Sequence, residues 1–483
     1  MEAGRHQTEG SYVWKPTLVF FLVGGLLLPP AVSHSDQVST ALEDKAAWEA
    51  DDSSSERRII EAVIVDGNLR TRTNLIKRVL DLEPPIPLDE RRLEEGRQRL
   101  MDLGLFVNVL LRLERGEQRG GVVLVVRVVE RGSLLLSDLF LGFTDVTPFY
   151  GGFGVADTNV AGTALFAHGA FVLGSEGRRA FHLSVSDPNI LNRYSLGLGL
   201  IHLRGLELHC PGGFSACDAE ELSRLEYRRT GGRASAGLLT GDASRVGFHY
   251  RFESLHSRTS GELSAGDDDE EWTVALGLPP MLIGPSRISS LTVSFEHDTT
   301  DDPFLARRGI LLDLYAEVGS ELFFSSYEYS RYGARLDTFW PGFGKHSIQV
   351  GAFGGFIQGD APFFDRFHVA DHSFFTVGAN AVPRALGISF TEVSQYDDVL
   401  LAVDVGYRIP LRLQGRFIYR SYFHASAALT LSAHTVDGSL LDLSLDPRNE
   451  ISRFPLSGDL GLRLDTTIGS FSLGLSYPLD LML

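Results

Sequence analysis

The side chains best suited to chemistry in this sequence are one histidine and the carboxylates that follow it. His297 is followed directly by Asp298, and Asp301 and Asp302 come shortly after. A hydrolase would need a nucleophile, a base and an acid placed together, or a pair of carboxylates. The remaining candidate histidines are scattered over different predicted strands and loops: His249, His256, His346 and His368. We therefore interpret the aspartates as turn-forming charges that face the protein interior, and we predict that the protein is not an enzyme.

Cofactor and metal motifs are likewise missing from the sequence. It contains no phosphate loop, nucleotide fingerprint or metal-ligand spacing, so no cofactor is predicted. The two cysteines, Cys210 and Cys217, flank a segment with glycine and proline, and in an exported protein such a pair predicts a disulfide that closes a small loop. The formal net charge of −18 argues against a nucleic-acid partner.

The N-terminal segment indicates export. Arg5 and Lys15 precede an uncharged run over 17–28, Pro29 and Pro30 end that run, and small residues follow. This pattern predicts a signal peptide over 1–33, with cleavage after Ser33. The alternative, a retained membrane helix, would need about 20 apolar residues, which this run does not supply. The polar residues 34–56 are predicted to form a flexible linker.

Residues 57–131 have the pattern of one small α+β domain. A strand pattern at 58–65 ends at the turn signal Gly67-Asn68, and two helical patterns follow, separated by prolines. Gly104 is well placed to end the second helix. Two further strand patterns cover 107–113 and 122–129. The order strand, helix, helix, strand, strand predicts a mixed sheet packed against helices.

From 134 to 483 the sequence consists of strand and loop patterns. Alternation places aliphatic residues on one face and Gly, Ser, Asp and Arg on the other, for example along 310–318 and 399–408. A soluble sandwich would also fit this alternation. Mid-strand charges and aromatic clusters near strand ends favour a transmembrane antiparallel β-barrel of about 16 strands. The clusters assigned to interfacial girdles are Phe323, Phe324, Tyr327, Tyr329, Phe339, Trp340, Phe417, Tyr419, Tyr422 and Phe423.

Together the two regions resemble outer-membrane assembly factors of the BamA/TamA type, also called bacterial surface antigens. That family couples POTRA domains to a 16-stranded barrel. Residues 63–114 resemble a POTRA domain. In the barrel region, GVADTNVAG (154–162) resembles the first periplasmic turn, SDPN (186–189) the second, FEHDTTDDPFLARRG (295–309) the mid-barrel turn, and PFFDRF (362–367) the start of the long sixth loop. YRIPL (407–411) matches the strand after that loop.

Two departures from the family pattern stand out. The family's sixth loop carries a tetrad with an arginine that reaches into the barrel wall. Here Thr376 stands at that position, close to Gly378, and Arg384 is a displaced substitute. The sixth-loop residues expected to contact the lumen are Phe363, Phe364, Arg366, Thr376, Gly378 and Arg384. In addition, GLSYPLDLML (474–483) resembles the family's next-to-last strand, so either two strands have been merged or barrel closure is unusual.

The resemblance implies an outer-membrane protein with its POTRA-like domain in the periplasm. We expect it to insert or export unfolded outer-membrane or secreted polypeptides, with outer-membrane lipid and periplasmic or lipoprotein accessory factors as further partners. A free edge of the POTRA-like sheet, at Val107, Val109 and Leu111, would bind clients through backbone hydrogen bonds. The alternative hypothesis is a passive pore or structural barrel that has lost assembly activity.

Overall fold

The computed structural model describes most of the chain from residue 58 onward. The described residues are 23–24, 58–142, 149–190, 193–209, 223–241, 243–259, 281–302, 304–368, 396–413, 415, 417–433, 456–466 and 469–478. They form a small four-stranded sheet with two helices, a large sheet, and a two-stranded ribbon.

The small domain has the predicted order of elements. It consists of β2 (Ile59–Asp66), α1 (Thr73–Leu80), β3 (Ile86–Pro87), α2 (Glu90–Asp102), β4 (Phe106–Arg115) and β5 (Gly121–Glu130). The sheet order is β3-β2-β5-β4, with β2 and β5 parallel and the other pairs antiparallel. The two-residue strand β3 lies in the proline-rich break, where the sequence predicted no element.

Helix ends in the small domain follow from local side chains. The Asp89 carboxylate accepts the amide of Arg91 at 3.0 Å and so caps the start of α2. Gly104, just after α2, has a φ of +67°, which favours glycine. The Arg99 guanidinium of α2 donates to the carbonyls of Val79 and Leu80, the last turn of α1. Apolar side chains of both helices pack on one face of the sheet, where Ile76, Val79, Leu80, Leu100, Leu124 and Val126 are fully buried.

The large sheet is antiparallel throughout its described ladders. Its first strands are β6 (Leu134–Gly142), β7 (Tyr150–Val160), β8 (Leu165–Gly174), β9 (Arg179–Ile190), β10 (Tyr194–His209), β11 (Ser223–Gly241), β12 (Ser244–Thr259) and β13 (Gly284–Asp298). The next are β14 (Gly309–Gly319), β15 (Tyr329–Pro341), β16 (Ser347–Gly359), β19 (Val399–Leu411), β20 (Ile418–Ala433), β21 (Leu456–Thr466) and β22 (Gly469–Pro478). Consecutive strands pair with each other, and β16 pairs with β19 across the ribbon of β17 (Phe367–His368) and β18 (Tyr396–Asp397).

The two faces of the large sheet differ as the alternation predicted. One, the outer face, exposes aliphatic side chains such as Leu198, Val293 and Val403. The other, the inner face, carries buried charges such as Arg251 and Glu317. Four residues assigned to interfacial girdles belong instead to the interior: Tyr327, Tyr329, Phe339 and Tyr422 are at most 7% exposed. That assignment was wrong for these residues, because strand-end position alone does not reveal which face a side chain takes.

The edges of the large sheet lie close together without a ladder between them in the described residues. At one edge is β6, and at the other β22 pairs with a two-residue strand, β1 (Val23–Gly24). Cα atoms of β1 and β22 come within 8 Å of β6. Among the described residues, fifteen strands of the large sheet come from 134–478, and one comes from the segment predicted to be a signal peptide. Closure of the barrel and its count of about 16 strands stay predictions.

None of the helices among the described residues is both long and apolar enough to cross a membrane.

Candidate functional site

A buried ion-pair network holds the start of the predicted sixth loop against the inner face. The Arg251 guanidinium of β12 donates to both carboxylate oxygens of Asp365, at 2.8 and 2.6 Å. The same guanidinium donates to Glu317 of β14 at 2.8 Å and to the Tyr329 hydroxyl at 2.6 Å. The side chains of Arg251, Glu317 and Asp365 are each at most 9% exposed. One cation is therefore shared by two carboxylates that would otherwise repel each other.

Aromatic contacts surround this network. Phe363 and Phe364 form a one-turn 3-10 helix with Asp365, and Phe363 is fully buried. The ring of Phe363 meets that of Tyr227 edge to face, with centroids 5.2 Å apart. The Arg229 guanidinium lies 3.8 Å from the centre of the Phe364 ring, within cation–π range. These contacts place the segment inside the curve of the large sheet.

Of the other predicted sixth-loop residues, only Arg366 is among those that the structure describes. Arg366 donates to Asp398 at 2.6 Å and so links the start of the loop to the residue just before β19. Thr376, Gly378 and Arg384 lie outside the described residues, as do Cys210 and Cys217. The roles of these five residues stay predictions.

A second segment, the turn between β13 and β14 at 299–308, folds over the inner face from the opposite end. Its Asp302 carboxylate accepts two hydrogen bonds from Arg420 of β20, at 3.0 and 2.8 Å. Phe304 packs edge to face on Tyr422. Since β13 and β20 are five positions apart in the sheet, the turn reaches a distant part of the wall. Asp301 accepts the amides of Arg307 and Arg308, the turn-forming role predicted for these aspartates.

The predicted client-binding strand, β4, lies at the edge of the small sheet and pairs only with β5 among the described residues. Val107 is 47% exposed at an irregularity in the ladder. Val109 is 1% exposed, and Leu111 packs against the domain core. The backbone edge of β4 is thus suitably placed for strand addition, whereas Val109 and Leu111 are committed to the core. Client binding at β4 stays a prediction.

The small domain is joined to the turn between β7 and β8 by buried polar contacts. The Asn159 side-chain amide donates to the Thr71 hydroxyl at 2.9 Å, and both residues are buried. The Arg72 amide donates to the Gly162 carbonyl at 2.9 Å. Gly162 has a φ of +73°, and a Cβ there would lie 2.1 Å from the Arg70 carbonyl oxygen. The junction therefore requires glycine at this position.

Glu130, at the end of β5, adds a charge to this junction. Its carboxylate accepts the amides of Arg70 and Thr71 at 2.9 and 2.7 Å. Partial burial raises the pKa of Glu130, but the hydrogen bonds from Thr71 and Arg70 outweigh it, and the pKa lies below its usual value.

A depressed pKa makes the junction sensitive to acid. A carboxyl whose pKa is lower in the folded state stabilises that state above its unfolded pKa, about 4.3, and the stabilisation is lost as pH falls through the folded pKa. We expect Glu130→Gln to lower the free energy of unfolding by about 1 kcal/mol or less at pH 7, because the carboxylate is only partly buried and solvent screens its charge. Urea titrations from pH 7 to pH 3 should show this difference vanish; a constant difference would contradict it.

The candidate catalytic histidines do not come together in the structure. His297 contacts the Ser244 hydroxyl, His249 contacts Ser294, and His346 contacts Tyr407. His368 lies in β17, and His256 is on the outer face of β12. In the part of the chain that the structure describes, no three His, Cys, Asp or Glu side chains are grouped to hold a metal ion. Each of the three histidines with a side-chain partner therefore contacts a different residue, on a different part of the sheet.

Sequence reasoning missed the residues that hold the loop segment. Arg251, Arg229 and Glu317 occupy inner-face positions in mid-strand, where an unpaired charge would be costly. The useful signal was that charges of both signs recur on this face in neighbouring strands. Asp365, which forms the ion pair with Arg251, lies within the PFFDRF segment, but the sequence did not indicate its partner.

A small domain of this topology in front of an antiparallel membrane sheet defines an outer-membrane β-barrel protein with a periplasmic POTRA domain. The Omp85 superfamily domain matches residues 159–372, and the POTRA family, described as a surface antigen variable number repeat, matches 59–131. The chain belongs to the Omp85 superfamily.

Individual relatives are more distant. The chain is 24% identical over 319 residues to the outer membrane protein assembly factor BamA of Nitratidesulfovibrio vulgaris, covering 64% of this chain and 36% of that protein. It thus spans about a third of the length of this curated relative.

Solved structures share the fold. BamA from Haemophilus ducreyi lacking POTRA domains 1–3 matches with a TM-score of 0.53 and 13% identity over 88% of this chain and 82% of that chain. CdiB from Escherichia coli matches with a TM-score of 0.55 and 11% identity over 98% of this chain and 93% of that chain.

Proposed function

We propose that this protein inserts unfolded β-barrel polypeptides into the outer membrane at the seam between β6 and β22. The observation that carries the proposal is that the edge strands β6 and β22 lie within 8 Å of each other without forming a ladder in the described residues. Val23 and Gly24, the Cα partners of Ser472 and Phe471, belong to the predicted signal peptide, so its cleavage would leave the edge of β22 open to an incoming strand. A strand edge in hydrocarbon is costly, so an incoming strand that completes its hydrogen bonds is stabilised there.

The inner face favours this route over export through the barrel centre. Two segments, 363–367 and 299–308, cross the interior and are held by the ion pairs Arg251–Asp365 and Arg420–Asp302. Passage of a polypeptide through the centre would require both anchors to break, and Arg251–Asp365 is buried. Pairing at the seam leaves both anchors in place. The same two segments argue against the alternative of a passive pore.

The POTRA domain is proposed to present clients to the seam through the backbone edge of β4. The junction at Asn159 and Gly162 holds the domain against the hairpin of β7 and β8, and β7 pairs directly with β6. Accessory periplasmic or lipoprotein factors would act on the outward surface of this domain. Unfolded outer-membrane polypeptides are the proposed client class.

Reconstitution in liposomes tests the proposal. The purified protein should accelerate the folding of a urea-unfolded outer-membrane barrel about tenfold, equivalent to a barrier lower by ~1.4 kcal/mol. Folding is followed by the heat-modifiable band shift of the client. Absence of acceleration together with steady ion conductance would favour the passive pore instead.

Photo-crosslinking locates the route. A photoreactive phenylalanine analogue at Leu473 of β22 should crosslink to the folding client, whereas the same group at Val293 of β13 should not. The two positions are matched in exposure, at 40% and 42%, and both lie on the outer face. Equal crosslinking at both positions, or a client protected inside the liposome, would contradict insertion at the seam.

A further inference from the structure

A row of four basic residues crosses four neighbouring strands on the outer face. Arg179 of β9 is the Cα partner of Arg204 of β10, which is the partner of Arg228 of β11, which is the partner of His256 of β12. The three arginines are exposed and His256 is half-buried. Paired residues of an antiparallel ladder point to the same side, and like charges directly opposite each other destabilise a sheet. This basic row therefore works against the fold unless anions lie upon it.

Glu226 does not neutralise the basic row. Its carboxylate lies 3.3 Å from Arg204, and both side chains are nearly half exposed, at 49% and 44%. An exposed pair of this kind is weak. Arg179 and Arg228 flank Arg204 on either side, so among the described residues the row keeps an excess of positive charge.

The basic row lies at the outer boundary of the membrane. The turn between β7 and β8 contacts the periplasmic domain, so the start of β9 and the end of β10 are at the opposite, external end. Below the row, the outer face exposes Leu183, Leu198 and Leu200. Ten residues separate Tyr194 from Arg204, which at a strand tilt near 40° corresponds to about 25 Å, the height of the apolar band of such barrels.

An apolar cleft of about 630 Å³ lies in the outer face below the basic row. Its floor includes the small residues Ala234 and Ala236 of β11, and its sides include Leu198 of β10 with Phe248 and Tyr250 of β12. In the membrane, hydrocarbon chains fill such a cleft, because an empty cleft would lose dispersion contacts. Six residues, about 20 Å of strand, separate Arg228 from Ala234. A lipid can therefore place its headgroup on the row and an acyl chain in the cleft.

We propose that the basic row and the apolar cleft form one site for an outer-leaflet glycolipid that carries two phosphates. Four strands spaced 4.7–4.9 Å apart spread the row over about 14 Å. A single phosphate reaches two neighbouring arginines at most, whereas two separated phosphates engage the whole row. Guanidinium groups bind phosphate in bidentate geometry, which suits Arg204 and Arg228.

Lipid binding to the full mature protein in neutral detergent tests this site. Native mass spectrometry would compare a bisphosphorylated acyl glycolipid with its dephosphorylated form, phosphatidylglycerol and phosphatidylcholine. The bisphosphorylated lipid should bind at least about tenfold more tightly than the other three, a difference of ~1.4 kcal/mol. Equal binding of phosphatidylglycerol would overturn the assignment to two phosphates. Equal binding of the dephosphorylated form would overturn the role of the basic row.

Two pairs of variants separate the headgroup from the acyl chain. Arg204→Gln with Arg228→Gln should lose about tenfold in affinity, and Arg193→Gln, an exposed arginine before the periplasmic end of β10, should lose none. Ala234→Phe fills the cleft and should weaken binding, whereas Val403→Phe, on the outer face of β19 and outside the cleft lining, should not. All five substituted positions face outward or lie in a turn, and an unchanged band shift on heating verifies folding. Undiminished binding in either test variant would overturn the proposal.

Discussion

Replacing Arg251 by methionine is expected to lower the free energy of unfolding by about 3–5 kcal/mol, the usual effect of removing one partner of a buried ion pair. The substitution keeps much of the side-chain volume but leaves Asp365 and Glu317 without their shared cation. Both carboxylates are at least 91% buried, so neither can recover its hydration. Urea unfolding of the detergent-solubilised protein measures the loss. We also expect faster trypsin cleavage after Arg366, because the segment loses its buried ion pair and keeps only the aromatic contacts and the bond from Arg366 to Asp398.

Two further variants identify the cause. The double variant Arg251→Met/Asp365→Asn should lose less free energy of unfolding than the two single variants together. The reason is that each substitution removes the buried charge that the other leaves without a partner. Arg258→Met alters an exposed arginine of the same strand and should change stability by no more than about 0.5 kcal/mol. Additive losses in the double variant would mean that Arg251 and Asp365 do not act as a pair.

Replacing Gly162 by alanine is expected to separate the POTRA domain from the barrel turn. The added Cβ would lie 2.1 Å from the Arg70 carbonyl oxygen, and the positive φ adds a cost of about 1–2 kcal/mol. Neither the turn nor the Arg70 backbone can move without breaking the bond from the Arg72 amide to the Gly162 carbonyl. Hydrogen exchange at the Arg72 amide should therefore accelerate by at least about tenfold, equivalent to ~1.4 kcal/mol.

Gly284 provides the matched control for this prediction. It also has a positive φ, +87°, but a Cβ there would meet nothing within 4 Å. Gly284→Ala therefore reports backbone strain alone, and the Arg72 amide should keep its exchange rate. If Gly162→Ala and Gly284→Ala had the same effect on that amide, close contact at the junction could not be the cause.

The fold could be predicted from the sequence where the pattern is local. The alternation along 310–318 and 399–408 correctly predicted these strands and their apolar face. This works because the two-residue period of a strand depends only on the sequence of that strand. The two helices of the POTRA domain were found through their apolar spacing and the turn at Gly104. In contrast, the prediction that Tyr327 and Tyr422 lie at the membrane interface is wrong, because both are buried inside. Their burial depends on which segments fold over the inner face, and a local pattern does not contain that information.

The candidate site was harder to predict because it is built from residues far apart in the chain. Arg251 and Asp365 are separated by 114 positions, and Asp302 and Arg420 by 118. Each belongs to a different strand or loop, and only the register of the sheet brings them together. The family resemblance pointed to Phe363 and Arg366 in the loop. The cation that pairs with Asp365, however, is Arg251 of strand β12 in the large sheet.

The junction at Asn159 has a mechanical consequence. The Arg72–Gly162 and Thr71–Asn159 bonds act at the tip of the β7–β8 hairpin, and β7 is the direct neighbour of β6. A pulling force on the POTRA domain would therefore reach the β7–β8 hairpin first and, through the pairing of β7 with β6, the edge of the large sheet. For the proposed function, this means that a client bound to the domain would act mechanically on the proposed insertion seam.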